Sequence, residues 1–289
     1  MLALKRFLAL AAFIAGPAWG VPPATVDAVV APAWLEHDGR TEPLAVGLIV
    51  ANGDHVRTGA GSRAYLKLAE GSTVKLGENA KLAFFTRSLK PQMDFKGALD
   101  VVTGAFRFTT DVLKRIKSRE LSIRVGTATA GIRGTDVWGK TDASRDLVML
   151  IEGHIEVSHT SGRIIEMSQP LTAFVAPKDG RPLAVEAVAP EDFKARARET
   201  EIEAGDGAAR GGGKWKLLLG RHADERTALE QRDNARGDGF AARVVPRAAA
   251  GGGGWNYEVF VTGFATEGEA LTAASRLKDA TGLAATAVR

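Results

Sequence analysis

The chain has no cysteine, which excludes disulfide staples, thiolate nucleophiles and thiolate metal ligands. It has no apolar run after residue 20 of the roughly 20 residues needed to cross a bilayer as a helix, so no stable membrane insertion is expected of residues 21–289. No Gly-x-Ser-x-Gly elbow is present. Gly131-Ile-Arg-Gly134 is not followed by the lysine and hydroxyl residue of a phosphate loop, and Arg133 reads as a structural arginine bridging a turn. Of the five histidines, His37, His55, His154, His159 and His222, only His154 and His159 are close in sequence. Their spacing across an expected hairpin gives no metal geometry without further ligands. The 34 acidic residues single out no carboxylate pair suited to glycan cleavage. The sequence thus predicts no catalytic residue, no metal ligand and no cofactor. A glycan-cleaving enzyme is the weakest of the readings that stay open.

What is present begins with an amino-terminal segment typical of export. Lys5 and Arg6 precede an apolar run from Phe7 to Ala15, Pro17 breaks it, and Ala18-Trp19-Gly20 offers small residues at a cleavage spacing. Residues 1–20 are therefore expected to be a cleaved signal peptide and the mature chain to be periplasmic. Lys5 and Arg6 account for two of the formal charges that sum to +4, and without them the balance is mild. No basic run is concentrated enough to make nucleic acid a partner. At 289 residues with 45% hydrophobic content, the chain is long enough for two unstapled cores.

From Leu44 to about Val175, glycines punctuate short segments of alternating apolar residues, such as Ala64, Leu66 and Leu68, then Val74 and Leu76, then Leu82 and Phe84. Alternation of period two between glycine turns predicts strands. One short basic helix is expected from Thr110 to Arg119. Stacked short strands are compatible with a β-solenoid or a β-sandwich. The segments Val50-Ala-Asn-Gly-Asp-His-Val56, Gly71-Ser-Thr-Val-Lys-Leu76, Ile132-Arg-Gly-Thr135 and Glu152-Gly-His-Ile-Glu-Val157 resemble the FecR-like domain over residues 45–165. Gly126-Thr127-Ala128 stands where that family carries a proline. The resemblance implies an all-β module of the cell envelope that engages a protein partner.

Residues 189–213 form a joint: a charged helix from Ala189 to Ile202 with Pro190 in its first turn, then a glycine-rich stretch with the composition of a flexible linker. The remainder repeats strand, helix, strand twice. Asp224 can cap the first helix and Gly237 stop it; Thr266 and Glu269 form a capping box for the second, and Gly282 ends it. A β-α-β-β-α-β chain builds one small α+β sheet with both helices on one face. Alternation turns Leu217, Leu219, Val259 and Val261 toward the helices. It leaves Lys216, Leu218, Arg243, Glu258 and Phe260 on the bare face. An exposed aromatic can stack on a sugar ring while charged neighbours hydrogen-bond its hydroxyls.

Tyr257-Glu-Val-Phe-Val-Thr-Gly-Phe264, Glu269-Ala270, Arg276-Leu-Lys278 and Gly282-Leu283 resemble the SPOR domain, the sporulation-related repeat, over residues 214–289. That resemblance implies binding to peptidoglycan glycan strands stripped of stem peptides, which are enriched where cells divide. Leu218 replaces the family's glutamine, Arg221 its serine and His222 its phenylalanine. The expected organisation is a multidomain chain: signal peptide 1–20, all-β FecR-like domain 21–188, helix and linker 189–213, SPOR domain 214–289. The expected function is that of a non-catalytic cell-wall-binding adaptor, with an envelope sensor or regulator as the alternative.

Overall fold

The computed structural model describes residues 23–86, 94–111, 118–249 and 254–289. The expected signal peptide lies outside them, as do residues 112–117 of the expected basic helix; Ser118 and Arg119 are strand. In chain order the first domain begins with β1 (Ala24–Val30), β2 (Ala33–His37), β3 (Arg40–Pro43), β4 (Ile49–Val50), β5 (His55–Thr58), β6 (Arg63–Leu68), β7 (Thr73–Leu76) and β8 (Lys81–Thr86). It continues with β9 (Asp94–Thr109), β10 (Ser118–Val125), β11 (Ala128–Ile132), β12 (Asp136–Thr141), β13 (Arg145–Glu152), β14 (Ile155–His159), β15 (Ile164–Met167), β16 (Thr172–Pro177) and β17 (Ala184–Ala187). Helix α1 (Pro190–Thr200) and β18 (Ala209–Arg210) lead into β19 (Trp215–His222), α2 (Glu225–Gly237), β20 (Arg243–Ala248), β21 (Trp255–Phe264), α3 (Glu267–Thr281) and β22 (Thr286–Val288).

The strands of the first domain form two facing sheets. One runs β1-β6-β7-β9-β12-β13-β16-β17, with β4 and β18 pairing the free side of β1. The other runs β3-β2-β5-β8-β9-β10-β11-β14-β15. Among these pairings only β9 with β10 is parallel. Stacked solenoid rungs would pair in parallel throughout, so the architecture is a sandwich. Its core holds Phe84, Phe95, Phe106, Phe108 and Phe174 between the sheets, each such side chain contributing about 2 to 3 kcal/mol of apolar burial.

Strand β9 belongs to both sheets. Its first half pairs with β8 and β10, its second with β7 and β12. The change falls at Gly104, whose φ is +84° and whose missing Cβ would lie 2.5 Å from the Cα of Ala80. Only glycine meets both demands. The Ile132-Arg-Gly-Thr135 segment makes a second crossing, from β11 in one sheet to β12 in the other, through Gly134 at φ +75°. Thr135 is tied there by reciprocal bonds with Thr110, its N–H donating to Oγ1 at 3.0 Å and its carbonyl accepting from Thr110 N–H at 3.1 Å. Arg133 is exposed and bridges no turn. Among the described residues it makes no hydrogen bond or ion pair, because the backbone turn is closed by Thr110 and Gly134 instead.

Helix α1 covers the outer side of the first sheet, where Trp138, Leu147, Met149, Ala173 and Val175 are buried and Phe193 packs on them. This explains why β13 reads as a nearly continuous apolar run rather than an alternation. Beyond the helix, Glu201 accepts from Lys75 Nζ at 2.7 Å, Arg107 Nη1 at 2.8 Å and Tyr65 Oη at 2.9 Å, while Arg107 also forks onto Asp136.

A free linker over 204–213 is what the composition predicts, and the structure differs. Glu269 of α3 accepts from the backbone N–H groups of Gly205, Gly207 and Ala208 at 2.6 to 2.8 Å. Arg276 donates to the carbonyls of Asp206 and Gly61, and β18 pairs with both β1 and β21. Composition reports the freedom of an isolated chain; a carboxylate from a distant helix supplies acceptors it cannot show. The same bonds take the Glu269 side chain away from the capping box, of which only the Thr266 half forms, accepting from Glu269 N–H at 3.2 Å. Glu269→Ala is expected to raise hydrogen exchange at the Gly207 and Ala208 amides and to cost about 2 kcal/mol in denaturant unfolding. Unchanged protection at those amides would count against the clamp.

Candidate functional site: an uncovered sheet face

The second domain's sheet has the order β20-β21-β19-β22, all antiparallel. Helices α2 and α3 bury Leu217, Leu219, Val259, Val261, Ala228, Ala270, Ala273 and Leu277 on one side. Asp224 caps α2 by accepting from Thr227 N–H at 2.9 Å. Helix α2 runs through Gly237, and its cap is Asp238. Gly282, in the left-handed region at φ +74°, closes α3. Phe240 is buried in this core ahead of β20.

On the other side the register places Arg243 of β20, Phe260 of β21, Leu218 of β19 and Thr286 of β22 in one row. In the adjacent row Lys216 stands between Thr262 and Val288, its Nζ 6.0 Å from the centre of the Phe260 ring. Arg243 is exposed, and Lys216, Leu218, Glu258 and Phe260 are half-buried. None of the five makes a hydrogen bond or ion pair to the described residues of the first domain. That domain is met by the end of α2, by the loop after it and by α3: Trp34 Nε1–H donates to the Gly237 carbonyl, Ala33 N–H to that of Gly239, and Arg276 to that of Gly61.

Glu258 is not a lone acceptor. Arg221 Nε donates to it at 2.8 Å and Arg247 lies 3.5 Å away. The Arg221 hydrogen bond, with the charges of both arginines behind it, holds the Glu258 carboxyl below the usual carboxylate range. Strict alternation along β19 would turn Arg221 toward the helices. A bulge between Leu218 and Gly220 advances the phase and puts it on the open face opposite Glu258. Gln231 of α2 braces the bulge, donating to the Leu219 carbonyl and meeting His222 at 2.8 Å. Arg247 was within reach of sequence reasoning, since it alternates with Arg243 along β20; Arg221 was not, because a bulge leaves no mark in alternation. The face therefore presents an apolar bar of Leu218 and Phe260, flanked by Lys216 and Arg243, with an Arg-Glu-Arg group at one end. Nothing in it resembles a nucleophile and base; it can stack on a ring and hydrogen-bond a polar or anionic rim.

Two family models match the chain, described as FecR protein over residues 54–156 and as SPOR domain over residues 211–289. Both are non-catalytic families typical of envelope proteins, and among the described residues no helix is long and apolar enough to cross a membrane. No curated protein matches the chain. Two crystal structures of a protein described as a putative anti-sigma factor from Parabacteroides distasonis are similar, each at 12% identity with a TM-score of 0.42. One match covers 62% of this chain and 73% of the other; the second covers 79% and 91%.

Proposed function

We propose that this chain, a FecR domain followed by a SPOR domain, is a non-catalytic periplasmic adaptor held to the cell wall by its second domain. SPOR domains bind peptidoglycan, and the observation that carries the reading is the uncovered face on which Phe260 and Leu218 lie between Lys216 and Arg243. In this proposal Phe260 stacks on a sugar of a glycan strand, Lys216 and Arg243 hydrogen-bond its rim, and Glu258 orients Arg221 and Arg247 toward it. The proposed organisation is an export signal over 1–20, the FecR-like domain over 21–188, a joint over 189–213 and the SPOR domain over 214–289. The FecR-like domain engages an envelope protein.

The test is sedimentation of the full chain with purified wall sacculi before and after amidase removal of the stem peptides. Pelleting is expected to increase on stripping, and Phe260→Ala is expected to weaken it about tenfold, or ~1.4 kcal/mol. Absence of pelleting with stripped sacculi would undo the adaptor reading, and soluble muropeptides released during incubation would undo the non-catalytic one. The FecR match over residues 54–156 favours a second reading, a sensor of envelope signalling that the SPOR domain only localises. A sigma factor or receptor encoded beside this chain would support it.

A further inference from the structure

A second concave surface lies on the outer side of the β3-to-β15 sheet, far along the chain from the face described above. It is a cavity of about 820 Å³. Its floor follows one row of the register: Phe85 opposite Ala98, Ala98 opposite Ser122, Ser122 opposite Gly131, Gly131 opposite Glu156, and Glu156 opposite Glu166. The row crosses six strands, which at the usual strand spacing makes it about 24 Å long. That is a trough for a chain molecule rather than a hole for a small one.

We propose that this trough binds an uncharged polysaccharide chain, independently of the SPOR face. Phe85 is 42% exposed at one end, where burying such a ring against protein would be the ordinary outcome; a sugar's C–H face is a fitting cover for it. Ala98, Ser122 and Gly131 keep the floor low, so that a ring can approach the backbone. Glu156 and Glu166 face one another directly across β14 and β15, and neither has a hydrogen-bond or ion-pair partner among the described residues. Like charges directly opposite one another oppose folding. Hydroxyl donors of a ligand would relieve the pair. Arg133, just past β11, and His154, just ahead of β14, also line the cavity and supply donors for hydroxyl oxygens.

The charge pattern selects the ligand. Lys96 and Glu120 on the wall already meet each other at 3.0 Å. What remains is one arginine against two carboxylates, which repels a polyanion and gives a polycation no continuous acidic track. A polyhydroxylated, uncharged chain uses acceptors and donors alike. Strand addition by a peptide along the trough floor is not available, since every strand of the row from β8 to β14 is paired on both sides, and only β15 at its end has a side without a strand partner among the described residues.

The probe is the hexasaccharide of N-acetylglucosamine, titrated by calorimetry into the full chain carrying Phe260→Ala. Binding is expected in this background, weakened about tenfold by adding Phe85→Ala and abolished by adding Gly131→Gln, which stands a side chain on the floor. Both changes leave the fold intact: Phe85 is exposed, and a Cβ on Gly131 meets only the Glu156 carbonyl, at 3.8 Å. Thermal unfolding checks this, and the exposed Glu166→Gln provides an answer should either variant unfold. Because Phe260→Ala disables the proposed sugar-stacking ring of the SPOR face, binding that persists in this background belongs to the trough, which separates failure here from failure of the wall-anchor reading. No heat with the hexasaccharide in this background, or equal affinity in all the trough variants, would each overturn the proposal.

Discussion

Gly104→Ala is expected to destabilise the chain by about 3 to 4 kcal/mol. Strand β9 passes from one sheet to the other at this residue, and the turn needs φ +84°, a left-handed conformation that costs an L side chain about 1 to 2 kcal/mol. The new Cβ would also fall 2.5 Å from the Cα and 2.6 Å from the Cβ of Ala80. Ala80 is fully buried and its backbone is engaged, with its N–H donating to Thr58 Oγ1 and its carbonyl accepting from Thr58 N–H. It cannot retreat without disturbing those bonds, and such overpacking costs a further 1 to 3 kcal/mol or so. Gly39→Ala is the control, since Gly39 has a similar φ of +73° but nothing within 4 Å of its Cβ position. Denaturant unfolding of the two variants separates the contributions: Gly39→Ala should lose only the conformational part. Equal losses would show that the close approach to Ala80 has no consequence.

Arg107→Met is expected to cost about 3 kcal/mol and to change the response to acid. Arg107 holds Asp136 through two bonds at 2.9 and 2.6 Å and Glu201 through one at 2.8 Å, with all three side chains mostly shielded from water. Removing the cation leaves two desolvated carboxylates on one surface, the circumstance in which a broken pair is costly. Burial pushes the Glu201 carboxyl up, but the hydrogen bonds from Lys75 and Tyr65 and the charges of Lys75 and Arg107 outweigh it, and the net position is below the ordinary glutamate value. A carboxyl depressed on folding contributes stability above its unfolded value and loses it as the pH falls through the folded one. The unaltered chain should therefore lose stability as the pH falls below the ordinary glutamate range, with the segment after α1 loosening. In Arg107→Met that acid-dependent loss should be smaller, because part of the depression is gone. Unfolding curves at a series of pH values check both, and parallel profiles for the two proteins would remove Glu201 from the explanation.

The order of the two domains, the strand-rich character of the first and the β-α-β-β-α-β order of the second were legible because they rest on local signals. Alternation marked Leu217, Leu219, Val259 and Val261 for the core, and caps at Asp224, Thr266 and Gly282 bounded the helices. These signals act within one turn or one strand. The choice between sandwich and solenoid was not local, since it depends on which strands lie antiparallel, and that pairing joins residues such as Thr73 and Thr109. The continuous burial of β13 hid a second contact layer, formed only when α1 folds back over Trp138 and Met149.

The candidate site divides in the same way. Lys216, Leu218, Arg243 and Phe260 could be named together because period-two alternation carries each to one side of its strand. Their arrangement in rows needed the register. Arg221 escaped because a bulge shifted it by one position, and Glu258 could not be foreseen as the partner of two arginines.

By itself the amino-acid order determined which residues alternate, where helices start and stop, and that two modules of different class succeed one another. Propensity and periodicity act over a few residues and are complete in the local chain. Only the tertiary structure decided that β9 belongs to two sheets, that Glu269 clasps the glycine-rich joint, and that Arg221 reaches the open face. Each of those rests on contacts between residues far apart in sequence, whose partners are chosen by packing.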